Sequence, residues 1–238
     1  MRATLLRPAI TTIVLLAFVS SSPAGAGKLE SFGLRTGLST SHLAGDFGKS
    51  IGGDYRNGFT AAASWRFRLT DRFSFAPEIA WVARGGDGSI RFSMSSGPTT
   101  YVFDTSIENR FHYVEFPILV RVDLPAARAI RPYLVAGPAP AVNAGVKQVV
   151  ETTTHTVPGA TTPQLQYAQI FEQAGTLGNQ RVEAIDLGVV GGAGVTLGAG
   201  RARLGIEGRY THGLLDVIDG GVESRNSGFA ATLGVELH

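Results

Sequence analysis

Seven arginines and five carboxylates recur at alternate positions of otherwise apolar segments: Arg35, Arg66, Arg68, Arg84, Arg121, Arg203 and Arg209 against Glu78, Glu115, Asp186, Glu207 and Glu236. A guanidinium is charged at any physiological pH and presents a rigid fork of donors that matches a carboxylate. The chemistry predicted is ion pairing inside an enclosed space, which fills and stiffens that space. The excess of cations leaves a gated or ion-selective path as the competing reading.

Other reactive groups form no recognisable site. The five histidines, His42, His112, His155, His212 and His238, show no H-E-x-x-H or other local metal spacing. The chain has no cysteine, which excludes a disulfide scaffold and a cysteine metal centre. It has no G-x-S-x-G elbow. His212, Asp216 and Asp219 fall near one predicted rim, and His42 and Asp46 near another, too loosely to predict a hydrolase. Gly191 to Gly200 fails as a dinucleotide loop, because Leu197 stands where a small residue is needed and no helix pattern follows. These glycines are read as letting interior side chains pack close to a strand. The sequence predicts no enzyme, no cofactor and no metal.

The elements that must carry the charged residues are strands. Phe59, Ala61, Ala63, Trp65, Phe67 and Leu69 alternate with Thr60, Ala62, Ser64, Arg66 and Arg68. After Thr70-Asp71-Arg72 the alternation resumes in phase, with Phe73, Phe75, Pro77, Ile79 and Trp81 against Ser74, Ala76, Glu78, Ala80 and Val82. Period-two alternation across a tight turn is a hairpin. Segments near residues 32–38, 113–122, 185–198, 203–210 and 228–237 behave alike. Arg131 to Asn143 is strand-like, but Pro132, Pro138 and Pro140 interrupt it and neither face is clean. Counting it gives eight strands of about ten residues, the length of a tilted membrane strand.

The first 26 residues stand apart. Arg2 and Arg7 precede an apolar run, Ala9 to Val19, and Ala24-Gly25-Ala26 closes the segment. That is the layout of a cleaved secretory signal peptide, leaving 27–238 as one barrel domain. Removing two of the 21 basic residues leaves 19 against 19 acidic ones, so the formal charge of +2 falls to zero. No electrostatic case for nucleic acid remains. With 44% hydrophobic and 17% charged residues, disorder is excluded.

Connection lengths alternate. Thr70–Arg72, Asp123–Ile130 and Ala199–Arg201 are short. Those near 40–57, 85–110, 144–182 and 213–225 are long. Short periplasmic turns and long extracellular loops are the asymmetry of outer-membrane barrels. Within the second long connection, Ile90, Phe92 and Met94 face Tyr101 and Phe103 across Ser95-Ser96-Gly97-Pro98, predicting a hairpin rising beyond the membrane. Gly85 to Gly88 predicts a bulge, and so does Pro117. The third connection has no readable structure.

Volume decides which face is inside. Phe32, Phe59, Trp65, Phe67, Phe73, Phe75, Trp81, Phe116, Tyr210 and Phe229 would crowd an eight-stranded interior. The opposite face, largely Gly, Ala and Ser punctuated by the twelve charges, fits it. The reading is therefore an all-β, eight-stranded antiparallel transmembrane β-barrel, its apolar face on lipid. Trp65, Trp81, Tyr113 and Tyr210 are candidates for interfacial girdles.

Four groups of residues carry a family likeness: Tyr113-Val114-Glu115-Phe116-Pro117-Ile118-Leu119; Arg131-Pro132-Tyr133-Leu134 with Gly137-Pro138; Asp186-Leu187-Gly188 leading into Gly191-Gly192-Ala193-Gly194; and Glu207-Gly208-Arg209-Tyr210 with Gly213-Leu214. In order and spacing they resemble the PorT-like outer-membrane β-barrel proteins of Gram-negative bacteria, over about the last 130 residues. The resemblance implies an eight-stranded outer-membrane barrel, and its name-giving members assist protein secretion. The chain departs from many such barrels in ending Glu236-Leu237-His238 rather than on an aromatic residue.

The expected protein is thus porin-like, exported to the outer membrane, with a structural or secretion-assisting role and an occluded lumen. Its expected partners are outer-membrane lipid, the barrel-insertion machinery and an unassigned extracellular or periplasmic protein. Binding or adhesion by the extracellular loops is the second reading. A soluble, lipocalin-like periplasmic carrier, with the faces reversed, is the third.

Overall fold

Successive period-two segments pair antiparallel and close on themselves. The computed structural model describes residues 28–50, 53–97, 99–126, 129–157, 165–171, 176–177, 180–198, 200–219 and 223–238; the predicted signal peptide lies outside them. The wall strands are β1 (Leu29–Ala44), β2 (Arg56–Arg68), β3 (Phe73–Ser96), β4 (Thr99–Glu115) continued by β5 (Ile118–Asp123), and β6 (Ile130–Val157). Three short strands, β7 (Leu165–Phe171), β8 (Thr176–Leu177) and β9 (Gln180–Arg181), precede β10 (Ile185–Leu197), β11 (Ala202–Gly213) and β12 (Arg225–Leu237). β6 pairs with β10, and β12 pairs back onto β1 from Phe32↔Leu237 to Ala44↔Arg225. Counting β4 and β5 as one strand, eight strands form a closed ring, as the alternation predicts. One short helix, α1 (Asp46–Ser50), lies in the first long connection.

Closure satisfies every edge of the wall, which lipid requires. The apolar face points out: Leu38 is 73% exposed and Phe229 and Leu233 each 54%. A soluble carrier would bury that face, so the reversed arrangement is overturned. Inside, the small residues are joined by bulky ones that the pattern underrated: Phe111, Tyr113 and Leu119 are fully buried. Tyr113 is therefore a lumen residue and not part of a girdle. Trp65, Trp81 and Tyr210 do face outward, with Trp65 beside Phe32 and Tyr210 beside Phe229.

The ambiguous segment 131–143 is the lower half of β6. Its three prolines point outward, while Tyr133, Val135, Ala139 and Ala141 are buried in the lumen. Pro117 breaks β4 from β5 without a bulge, because the pairing with β3 continues in one register from Ala80↔Glu115 to Pro77↔Ile118. Proline removes one ladder donor, and the neighbouring groups remain bonded through Phe116 N–H to Pro140 O (2.8 Å) and Glu78 N–H to Pro117 O (3.0 Å). Gly85 to Gly88 carries no bulge in its β4 pairing either, which is unshifted from Ala80 to Ser96. The register shift lies instead between β4 and β6, where Tyr113 pairs with Asn143 and His112 with Gly145, leaving Ala144 over.

Above that shift, β3, β4 and β6 continue past the ring as the sheet of the predicted hairpin, β3 and β4 pairing up to Ser96↔Thr99, with β7 paired onto β6. The third connection, unreadable in sequence, thus supplies the upper half of β6. Here the two faces exchange character. Below Ala83 and His112 the outward side chains are apolar, while the inward ones mix charged groups such as Glu78 and Glu115 with small and apolar ones such as Ala80 and Leu119. Above them the outward face carries Asp87, Ser89, Arg91, Asp104, Ser106, Glu108 and Arg110, while the inward face carries Ile90, Phe92, Phe103 and Ile107. Phe92 stacks on Phe103 at 4.7 Å. An outward face must be apolar only where lipid touches it, so the Ala83↔His112 pair marks the outer edge of the hydrocarbon.

Candidate functional site

The twelve predicted charged residues lie on the inward face of the wall and gather in three layers, with the half-exposed Arg68 at the lower rim. In the middle layer, Arg209 on β11 reaches across to Glu78 on β3 with two hydrogen bonds, 2.7 and 2.9 Å. Arg35 on β1 pairs with the same Glu78, and Glu207 pairs with Arg209 and lies 3.7 Å from Arg35. Two cations and two carboxylates therefore close a ring of ion pairs, three of them hydrogen-bonded, and each side chain is at most 15% exposed.

The lower, periplasmic layer holds Arg66, Arg121 and Glu236. Arg121 donates to Glu236 (2.7 Å), Asp123 (2.9 Å) and the Thr196 hydroxyl (3.1 Å), and its guanidinium lies 3.6 Å over the Tyr133 ring. Arg66 donates to Ser31 (3.1 Å) and faces Glu30, Asp123 and Glu236 at 3.4–3.8 Å. Arg68 pairs with Glu30 at the rim, and Arg203 lies 3.0 Å from the His238 ring nitrogen. Gly194 makes room for Tyr133, since a Cβ there would lie 2.5 Å from the phenol. The glycine-rich strand thus serves close packing, as read from its pattern.

The upper layer pairs Arg84 with Glu115. Asp186 does not join that pair; it accepts from the Leu187 N–H (2.7 Å) and from Asn226 (3.2 Å), which also donates to the Tyr113 hydroxyl (3.0 Å). Above this layer Leu43, Phe111, Tyr113, Val146, Val182, Val217 and Ile218 form an apolar cap. The cap is held by loop residues: Val182 bridges to Ile218, and Ser224 accepts from the Ile218 N–H at 3.1 Å. Spaces between the layers measure about 50 and 30 Å³, room for a few waters.

Sequence reasoning missed Glu30, Asp123, Asn226, Tyr133 and the cap. Glu30 shares parity with outward Phe32, and only the register shift between Leu29 and Ser31 brings it to Arg66. Val217 and Ile218 lie in a loop where periodicity carries no signal. Asn226 was legible in principle, being in phase with Glu236 on one strand.

His212 and Ser227 do meet, at 3.2 Å. Ser227 is only 1% exposed, which closes its hydroxyl to substrate. Asp216 is engaged elsewhere, accepting from the Ser224 N–H at 2.9 Å and lying 3.8 Å from Arg225.

A closed ring, a lipid-type outer face and a charged interior coincide with a family match over residues 24–219, described as the outer membrane protein beta-barrel domain. The chain belongs to that family. As an outer membrane β-barrel protein it resides in the outer membrane, with the sheet of β3, β4, β6 and β7 outside the cell. Among similar solved structures are neisserial surface protein A (11% identity, 88% of this chain and 98% of that one, TM-score 0.41) and Ail of Yersinia pestis (10%, 87% and 98%, 0.40). OprG from Pseudomonas aeruginosa is a third (12%, 90% and 99%, 0.41). No curated protein matches this outer membrane β-barrel protein in sequence.

Outside the membrane the barrel carries a second charged cluster. Arg56 lies 2.6 Å from Asp87 and 3.2 Å from Glu108, and Arg110 bonds Glu108 at 2.7 Å. Arg110, and behind it Arg56, holds the Glu108 carboxyl below the usual carboxylate range, against a smaller opposing effect of burial.

Proposed function

We propose that this protein is a closed, non-enzymatic barrel that anchors an extracellular β-sheet and acts as a binding or adhesion platform through it. The observation that carries this reading is the cross-lumen ring of Arg35, Glu78, Glu207 and Arg209 beneath an apolar cap. Ion pairs that span an eight-stranded interior fill it, and the spaces left between the layers among the described residues, about 50 and 30 Å³, hold a few waters. The residues behind the PorT-like resemblance support the same role. Tyr113, Glu115, Tyr133, Asp186, Glu207 and Arg209 are buried in or line the lumen layers, so they account for a stiff barrel rather than for contact with a secreted protein. Planar-bilayer recording on purified full-length protein is the test. The closed reading expects no stable conductance; steady single-channel openings would overturn it.

A further inference from the structure

The periplasmic mouth of the barrel holds more cations than its own carboxylates pair. Arg66 and Arg121 face Asp123 and Glu236, and Arg68 takes Glu30. Lys28, Arg201 and Arg203 are left over, with no ion pair among the described residues. Arg203 is the least satisfied of them. One of its terminal nitrogens lies 3.0 Å from His238 Nε2, which Arg66 approaches to 2.7 Å. A guanidinium only donates, so two cations share one lone pair. The Nε of Arg203 is buried without any acceptor.

These side chains belong to the axis of the barrel and not to its lipid side. Leu29 pairs with Phe67 on the outward face, so Lys28 and Arg68, next along the two strands, take the inward phase. The Arg68 N–H donates to the Lys28 carbonyl at 3.2 Å. Arg203 pairs with the inward Glu236, and Arg201 stands two residues earlier, in the turn between β10 and β11. The outward positions at this level are Leu29, Leu204 and Leu237, each about half exposed. Inner-leaflet head groups therefore meet an apolar rim, while the unpaired cations surround the opening. Charges of one sign around an opening with low-dielectric walls concentrate their field inside it.

We propose that this basic mouth docks an acidic, extended segment of a periplasmic protein. From Lys28 and Arg68 to Arg203 the wall takes two to three inter-strand steps, about 10–14 Å. Five residues of extended chain span about 13 Å and set the first, third and fifth side chains on one side. Acidic residues at those positions reach Lys28 and Arg203 together, and a carboxylate on Arg203 supplies the acceptor that its Nε lacks. The inference rests on the outer-membrane placement and on neither the closed lumen nor the extracellular sheet.

The test puts the full chain in phosphatidylcholine nanodiscs, which leave both ends of the barrel open to solution. Binding of a labelled peptide Glu-Gly-Glu-Gly-Glu, blocked at both ends, is compared by fluorescence anisotropy with Gln-Gly-Gln-Gly-Gln. The acidic peptide is expected to bind roughly tenfold more tightly, and K28Q/R203Q to erase the difference. K49Q, at the extracellular end, is expected to leave it unchanged. No preference for the acidic peptide, an unaffected K28Q/R203Q variant, or an equal loss in K49Q each overturns the inference. So does displacement by millimolar inorganic phosphate, which marks a small-anion site, or loss of the preference in phosphatidylglycerol nanodiscs, which gives the cations to lipid. Heat-dependent gel mobility reports folding; if K28Q/R203Q does not fold, K28Q/R201Q is read, with about threefold loss expected. A folded barrel without peptide preference sinks this inference alone, whereas conductance sinks the closed barrel alone.

Discussion

Arg209 on β11 and Glu78 on β3 are joined across the lumen by a two-pronged ion pair, with three strands of wall between them on either route round the ring, counting β4 and β5 as one. A tie of this kind couples opposite walls directly, where the backbone ladder couples only neighbours. Breaking it from one side strands the partner in a low-dielectric interior. Glu78→Ala leaves Arg35 and Arg209 facing each other over one remaining carboxylate. It is expected to lower stability by about 3–5 kcal/mol, measured by urea unfolding in vesicles. Replacing both Arg209 and Glu78 by Met is expected to cost clearly less than the sum of the single changes. Additive losses would show that the pair does not act as a unit.

Gly194→Ala sets a Cβ 2.5 Å from the phenol end of Tyr133, whose ring Arg121 overlies. Overpacking of this kind costs about 1–3 kcal/mol. Gly191→Ala, on the same strand with nothing within 4 Å of the added carbon, is the matched control and is expected to be near neutral. Unfolding midpoints of the two variants check the contrast.

The exchange of faces at Ala83 and His112 fixes where lipid begins. Leu233→Arg puts a charge on the lipid face, with an expected cost of about 2–4 kcal/mol at the midplane. Ser89→Arg, on the same side of the wall but above the exchange, is expected to be tolerated. Insertion yield and heat-dependent gel mobility measure both. Equal damage would place the hydrocarbon edge higher than drawn.

The Glu108 cluster gives the extracellular sheet a defined acid limit. Arg110, then Arg56, lowers the folded carboxyl below its unfolded value of about 4.3. A depressed acid stabilises above the unfolded value and loses that contribution as pH falls through the folded one. Protease protection of β3 and β4 above the membrane is therefore expected to be flat from pH 8 to about 5 and to weaken below about 4. Glu108→Gln should remove that step. A loss of protection near pH 6 in the parent would point to the histidines instead.

How much of this was legible beforehand follows from what a period of two can encode. Alternation gave the strands, the side that each charged residue faces, and the short and long connections, because a strand's side chains must alternate and one face must meet lipid. It also gave the rising hairpin, whose apolar positions face each other across the turn. It misjudged Gly85 to Gly88 and Pro117 as bulges, since glycine and proline signal irregular backbone without saying whether the ladder shifts. It put Tyr113 in a girdle, since residue type alone outweighed the phase it shares with Glu115.

The sequence by itself determined the inside and outside of the barrel and which groups would be charged within it, because parity along a strand is a local property. Only the tertiary structure decided which charges meet. Glu78 and Arg209 lie 131 residues apart, and their encounter depends on ring closure and on the stagger of strands that are not neighbours. The extra residue at Ala144 and the cap of Val217 and Ile218 likewise depend on register and on loop placement, which no repeating pattern records.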